Sequence, residues 1–181
     1  GRSGNKSTRA DALKAIELIF NNLEASYFEG TRSARKNMLT ASHLAGRAFS
    51  KAYVGYVHAV AHSLGGKYDT PHGLANAVLL PVVLKKYGKS AHKKLKRIAV
   101  YCGLADKKTP REEAAARVIG CIEVMNKKFE IPAKFSFIKT EDIPALARYA
   151  DREANPLYPV PKLWNAKRLA EIYAEVSEDA N

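Results

Sequence analysis

From end to end the chain repeats apolar residues at three- and four-residue spacing, and no convincing run alternates apolar with polar side chains. The first pattern lays an apolar stripe along a helix; a half-buried strand needs the second. The pattern therefore predicts an all-α protein, a helical bundle. A first helix is expected from about Arg9 to Ala25, with Thr8 as N-cap, Asp11 in a capping-box position and Leu13, Ile16, Leu18, Ile19 and Leu23 on its apolar face. Gly30 closes the connection to a second helix, about Ser33 to Lys51, which carries Met38, Leu39, Leu44 and Phe49. A third holds Val57, Val60, Ala61 and Leu64 and is predicted to end at Gly65-Gly66. Pro71 suits the first turn of a fourth, running through LANAVLLPVVLKKY.

Ser90 or a neighbour caps the next helix, HKKLKRIAVYCG, with Leu95, Ile98, Ala99 and Tyr101 on one face and Gly103 as its stop. Pro110 at N1 opens REEAAARVIGCIEVMNKKF, whose acidic first turn and basic last turn suit the helix dipole. After Ile131-Pro132 comes a short extended piece, then a helix capped by Thr140 or Asp142 with Pro144 in its first turn. The proline-punctuated NPLYPVP loop leads to a final helix from about Asn165 to Glu178, packed through Tyr158, Trp164, Leu169 and Tyr173. No repeat, low-complexity tract or linker interrupts the series, so one helical domain over residues 1–181 is expected.

A hydrophobic content of 46% is ample for a core. The longest uncharged stretch, Leu74 to Leu84, is too short to span a bilayer, and no signal-peptide segment opens the chain. A soluble cytoplasmic protein without a membrane partner is expected. Cys102 and Cys121 make neither a disulfide framework nor a CxxC site and are expected to be buried as small hydrophobes. The net charge of +12 gathers at Lys85-Lys86, Lys93-Lys94, Lys96-Arg97 and Lys107-Lys108. These residues alternate with apolar positions at helical spacing and lack interleaved aromatics, so a solvated face is preferred to a nucleic-acid partner. A metal-free basic helical binding module stays as the alternative.

Chemistry concentrates between Gly55 and Gly73, GYVHAVAHSLGGKYDTPHG, which holds three of the five histidines. His58 and His62 are spaced i, i+4, so a helix presents both on one face. His72 follows Pro71 at the start of the next helix, and the GGKYDT loop is long enough to fold the chain back. A helix N-terminus favours neutral imidazole, the metal-binding form, and two such rings on rigid elements make half of a typical first-row metal site. Each histidine alone is more often a hydrogen-bonded core residue than a ligand. The pair also lacks the adjacent glutamate of the HExxH zinc helix. His43, without partner spacing, and His92, among lysines, are expected to be structural or exposed.

The combined pattern GxxHxxxHxxGxxxxxPHG, continued by GLANAVLLP, resembles the metal-binding signature of the iron-containing (group III) alcohol dehydrogenases. LAGRAFSKAYVGYVHAVAHSLGG upstream and ANPLYPVPKLWNAKRLAEIYAEV downstream are similar to that family too, so the resemblance covers essentially the whole chain. It implies the bundle fold of the C-terminal domain of the dehydroquinate synthase-like / iron-dependent alcohol dehydrogenase superfamily. It assigns His58 and His72 to the metal, and His62 to the substrate and nicotinamide pocket as catalytic and cofactor-binding residue. Phe49 falls on a substrate-pocket phenylalanine.

The family's remaining ligands, an Asp and a His in a DxxxH helix, have no counterpart: DALKAIE, from Asp11 to Glu17, puts Lys14 three residues after the Asp. The chain is expected to begin after that helix and to lack the preceding nucleotide-binding α/β domain. The resemblance then implies NAD(P)-linked interconversion of a small alcohol and an aldehyde or ketone by hydride transfer from a metal-bound alkoxide. Fe2+ is the family's metal, with zinc compatible with the same donors, NAD or NADP the hydride carrier, and a homo-oligomer the full-length state. The chain by itself is expected to be inactive. A zinc-dependent polyol dehydrogenase or synthase of the same superfamily is a further alternative.

Overall fold

Asn5 opens the first helix, α1 (Lys6–Glu24), earlier than the polar pattern predicts. Its side chain accepts from the Thr8 backbone N–H while the Thr8 hydroxyl accepts from Asn5 N–H, a reciprocal capping box. Thr8 is thus the third helical residue, not the cap. Asp11 instead takes a bidentate ion pair from Arg47, at 2.8 and 3.1 Å. A wide turn, Ala25–Glu29, prolongs α1 and stops at Gly30, whose φ of +66° ends the run as expected. The structure, a computed structural model, describes residues 3–180.

Helix α2 (Arg32–Ala52) packs along α1. Of the residues expected on its apolar face, Met38 and Leu44 are half-buried but Leu39 is 73% exposed and Phe49 53%, whereas Ala34, Ala41 and Ala48 are buried. These alanines recur every seven residues, two helical turns, and on α1 the buried residues are Thr8 and Ala15. Small side chains let two backbones approach closely, so an alanine seam is the most deeply buried part of this hairpin, with its larger apolar residues half-buried around it.

Helices α3 (Tyr56–Tyr68), α4 (His72–Tyr87), α5 (Lys89–Tyr101), α6 (Arg111–Lys128), α7 (Ile143–Ala154) and α8 (Ala166–Val176) complete the series. Among the described residues there is no strand, only an isolated bridge between Phe135 and Ser177, and no helix is long and apolar enough to cross a membrane. The described chain divides into two compact units: residues up to Tyr53 with His92–Val118, and Val54–Ala91 with the residues from Ile119 on.

The second unit carries the core that positions the histidines. Leu64 of α3, Leu79 and Val83 of α4, and Leu169 and Ile172 of α8 are fully buried, and Leu146 of α7 is nearly so. Each such side chain contributes roughly 1.5–3 kcal/mol on leaving water. Tyr56 is fully buried and stacks on Trp164 with ring centroids 5.0 Å apart. Its hydroxyl donates to Asn155 Oδ1 at 2.8 Å and accepts from Trp164 N–H at 2.8 Å, tying α3 to the loop before α8.

Several expected boundaries move for local reasons. Gly65 and Gly66 lie inside α3, which runs on to Asp69. Asp69 and Thr70 supply the turn, Asp69 in the left-handed conformation and Thr70 with its hydroxyl on Leu64 O. Ser90 lies within α5, bonded to Tyr87 O, and the break before that helix falls at Gly88 (φ +50°). Neither Thr140 nor Asp142 caps α7 by its side chain: Thr140 bonds Asp179, and Asp142 takes Tyr68 and Lys67. Cys102 and Cys121 are half-buried, not fully buried, and form no disulfide. His92 is half-buried and His43 exposed.

Two outcomes follow for stability. Ala41→Leu is expected to cost about 1–3 kcal/mol by overpacking the seam, while Leu39→Ala stays within about 0.5 kcal/mol; urea unfolding of the two variants reads the difference. Tyr56→Phe strands Asn155 and the Trp164 N–H and is expected to cost about 1–3 kcal/mol in the same assay.

Candidate active site

Three elements of the second unit build the site, and each places its residues for a legible reason. Helix α3 presents His58 and His62 one turn apart, with ring centroids 5.9 Å apart. The left-handed Asp69 then reverses the chain, its N–H bonded to Gly65 O at 2.9 Å. Pro71 fixes the approach to α4, whose first residue is His72. The His72 ring lies 5.3 Å from both His58 and His62, tilted against the first and stacked on the second. The fold-back expected from the GGKYDT loop is thus present, and all three imidazoles converge.

His58 is held below the usual imidazole range, chiefly by burial and then by His72 and His62. The neutral ring keeps one nitrogen with a lone pair for donation. Asn76, one turn along α4, presents its amide NH2 to His72 Nε2 at 2.9 Å, so the lone pair of that nitrogen is engaged by Asn76. Asn76 Oδ1 is left as a buried polar atom without a partner. Two imidazoles on rigid helices fit two positions of a divalent first-row metal, which at His72 would take the place of the Asn76 NH2. They do not fill a coordination sphere: among the described residues no group of three or more His, Cys, Asp or Glu side chains is placed to hold an ion.

His62 differs from the other two. Its Nδ1 lies 2.7 Å from Glu153 Oε1, in the last turn of α7, and Tyr158 O–H donates to the same oxygen at 2.7 Å. Burial first, and then the bond to Glu153, push the Tyr158 phenol up to about 12. On the far side of the same α3 turn, Ser63 Oγ and Tyr173 OH are 2.5 Å apart, with Tyr173 buried in the core. Burial raises the Tyr173 phenol too, so it stays protonated and serves as a hydrogen-bonding core residue. A cleft of about 660 Å³ opens between α3 and α7, lined among others by His62, Ser63, Lys67, Asp142, Tyr149 and Glu153.

Phe49 lies in the first unit, on the last turn of α2, and is more than half exposed. Sequence reasoning missed Asn76 and Glu153 as site residues and took Tyr158 for a packing residue alone; it is half-buried. Glu153 is 91 residues from His62, so no spacing pattern links them. Its one sequence signal is an acidic side chain in the C-terminal turn of a helix, where the dipole opposes negative charge. Of the lysine clusters, Lys85 pairs with Glu123 and Lys86 with Glu175, and Lys96 donates to Lys107 O.

Comparison with known proteins gives the site its context. Residues 1–177 match the family described as "Fe-containing alcohol dehydrogenase family, C-terminal". The 1,3-propanediol dehydrogenase of Citrobacter freundii is 38% identical over 177 residues, 96% of this chain and 46% of that protein. Alcohol dehydrogenase 4 of Saccharomyces cerevisiae is 42% identical over 157 residues, 84% of this chain and 40% of that protein. A solved 1,3-propanediol oxidoreductase superposes with a TM-score of 0.89 at 36% identity, covering 97% of this chain and 46% of that one. The chain thus spans less than half the length of these relatives. The chain belongs to the Fe-containing alcohol dehydrogenase family and corresponds to its C-terminal part.

Proposed function

We propose that these residues form the metal- and substrate-binding part of an NAD(P)-linked dehydrogenase that interconverts a small alcohol with its aldehyde or ketone. The observation that carries this reading is the convergence of His58, His62 and His72 on one face of the α3–α4 turn, with His58 held neutral. His58 and His72 would hold the metal, iron(II) by family and with donors that suit zinc as well. When bound, the metal supplies Lewis acidity that polarises a substrate hydroxyl or carbonyl group.

The chain's own residues do the rest. The buried faces of α3 and α4 lock the backbone under both ligand histidines, which keeps the imidazoles in place without a bound ion. His62 stands beside them with one ring nitrogen engaged by Glu153, leaving the other to accept or return the proton of a substrate hydroxyl. The cleft between α3 and α7 gives a small molecule access to His62. The nicotinamide, the two further ligands and a nucleotide-binding partner region come from outside these residues, with His62 facing the substrate and cofactor. The full-length protein is expected to assemble from identical subunits.

Two outcomes test the reading. In the full-length protein, His58→Ala or His72→Ala is expected to lower bound metal per chain by roughly tenfold or more, since each variant removes a ligand; elemental analysis after dialysis measures it, and unchanged metal content overturns the assignment. The 181-residue chain alone is expected to show a helical circular-dichroism spectrum and no NAD(P)-linked alcohol turnover; normal turnover by it would refute the dependence on outside residues.

A further inference from the structure

We propose that Glu153, anchored by Tyr158, is a positioning residue that fixes which nitrogen of His62 faces the reacting group. The proposal rests on the dehydrogenase reading of the site and adds a residue to it.

A carboxylate only accepts hydrogen bonds, so at a 2.7 Å contact the hydrogen between Glu153 Oε1 and His62 Nδ1 belongs to the ring. Nε2 is then the one nitrogen of His62 free to take a proton from a hydroxyl group or to hand one back. Without that constraint an imidazole as exposed as this one, 43% of its side chain, samples both tautomers and both ring orientations. A proton acceptor that presents the wrong nitrogen half of the time is a poor base, which is why orienting carboxylates accompany histidines in many active sites.

Three features separate this pair from an ordinary surface contact. First, stability does not account for it: ion pairs of such exposure are worth about 0–1 kcal/mol. Second, the same oxygen accepts the Tyr158 hydroxyl at 2.7 Å, from the loop after α7, so a second element holds the carboxylate in place. Third, Glu153 occupies the C-terminal turn of α7, with Asp151 in the same turn, where the helix dipole disfavours a negative charge. A residue that runs against its local electrostatics is accounted for by its tertiary partner, and here that partner lines the cleft with it.

The test uses the full-length protein loaded with zinc, which is diamagnetic, and labelled with 15N-histidine. The His62 signals are assigned by their loss in His62→Gln. In the wild type, His62 is expected to show a protonated Nδ1 and a bare Nε2. Glu153→Gln keeps the side-chain volume but offers both a donor and an acceptor, so the two nitrogens are expected to average or exchange roles. That variant is also expected to lose roughly tenfold in kcat, as removal of an orienting partner typically does, with the nucleotide KM within about twofold of wild type. Tyr158→Phe, which leaves the carboxylate but frees it, is expected to fall between the two. An unchanged His62 tautomer in Glu153→Gln, or an unchanged kcat, overturns the proposal. Absence of alcohol turnover in the wild type would sink the underlying dehydrogenase reading instead, and the two failures are told apart by the wild-type control.

Discussion

Everything at the site depends on one reversal of the chain. At Asp69 the backbone takes the left-handed conformation, closes on Gly65 O and releases the chain through a buried Thr70 to Pro71. A helix one turn longer would carry His72 onto a continuation of α3, away from His58. A looser loop would leave its distance to them undetermined. The turn works because it is short and because its two helices are already fixed by burial: Leu64 on one side and Leu79 on the other are fully removed from solvent. Burial first, and the neighbouring His72 and His62 second, lower the affinity of His58 for protons.

What the sequence disclosed and what it concealed divide along contact distance. The number and order of helices, the facing of His58 and His62, and the return of His72 follow from spacing, glycine and proline, all of them local. The seam between α1 and α2 was concealed because a hydrophobic pattern weighs Leu39 and Phe49 above Ala34, Ala41 and Ala48, while close packing rewards the small residue. The glycine pair at Gly65-Gly66 reads as a helix stop, yet Asp69 and Thr70 supply the stop beyond it.

The site was legible only as far as it is contiguous. The signature gave the three histidines that converge. Glu153 and Tyr158 reach His62 from another helix and a loop, and Asn76 acquires its role only once the tautomer of His72 is in question. Such residues carry no periodicity of their own. Their trace in the chain is a mild local inconsistency, an acid where a helix end prefers a base, which three-dimensional neighbours then explain.

The cleft between α3 and α7 has two acid–base couples on its walls, His62 with Glu153 and Lys67 with Asp142 at 3.0 Å. The Lys67–Asp142 couple acts at a distance as a dipole, whose potential dies away faster than that of a lone charge, whereas a neutral His62 leaves the charge of Glu153 standing. Lys67 and Asp142 cancel, so the two couples together leave one negative charge on the cleft wall, a carboxylate held by hydrogen bonds and not by a cation, which favours a hydrogen-bond donor beside it.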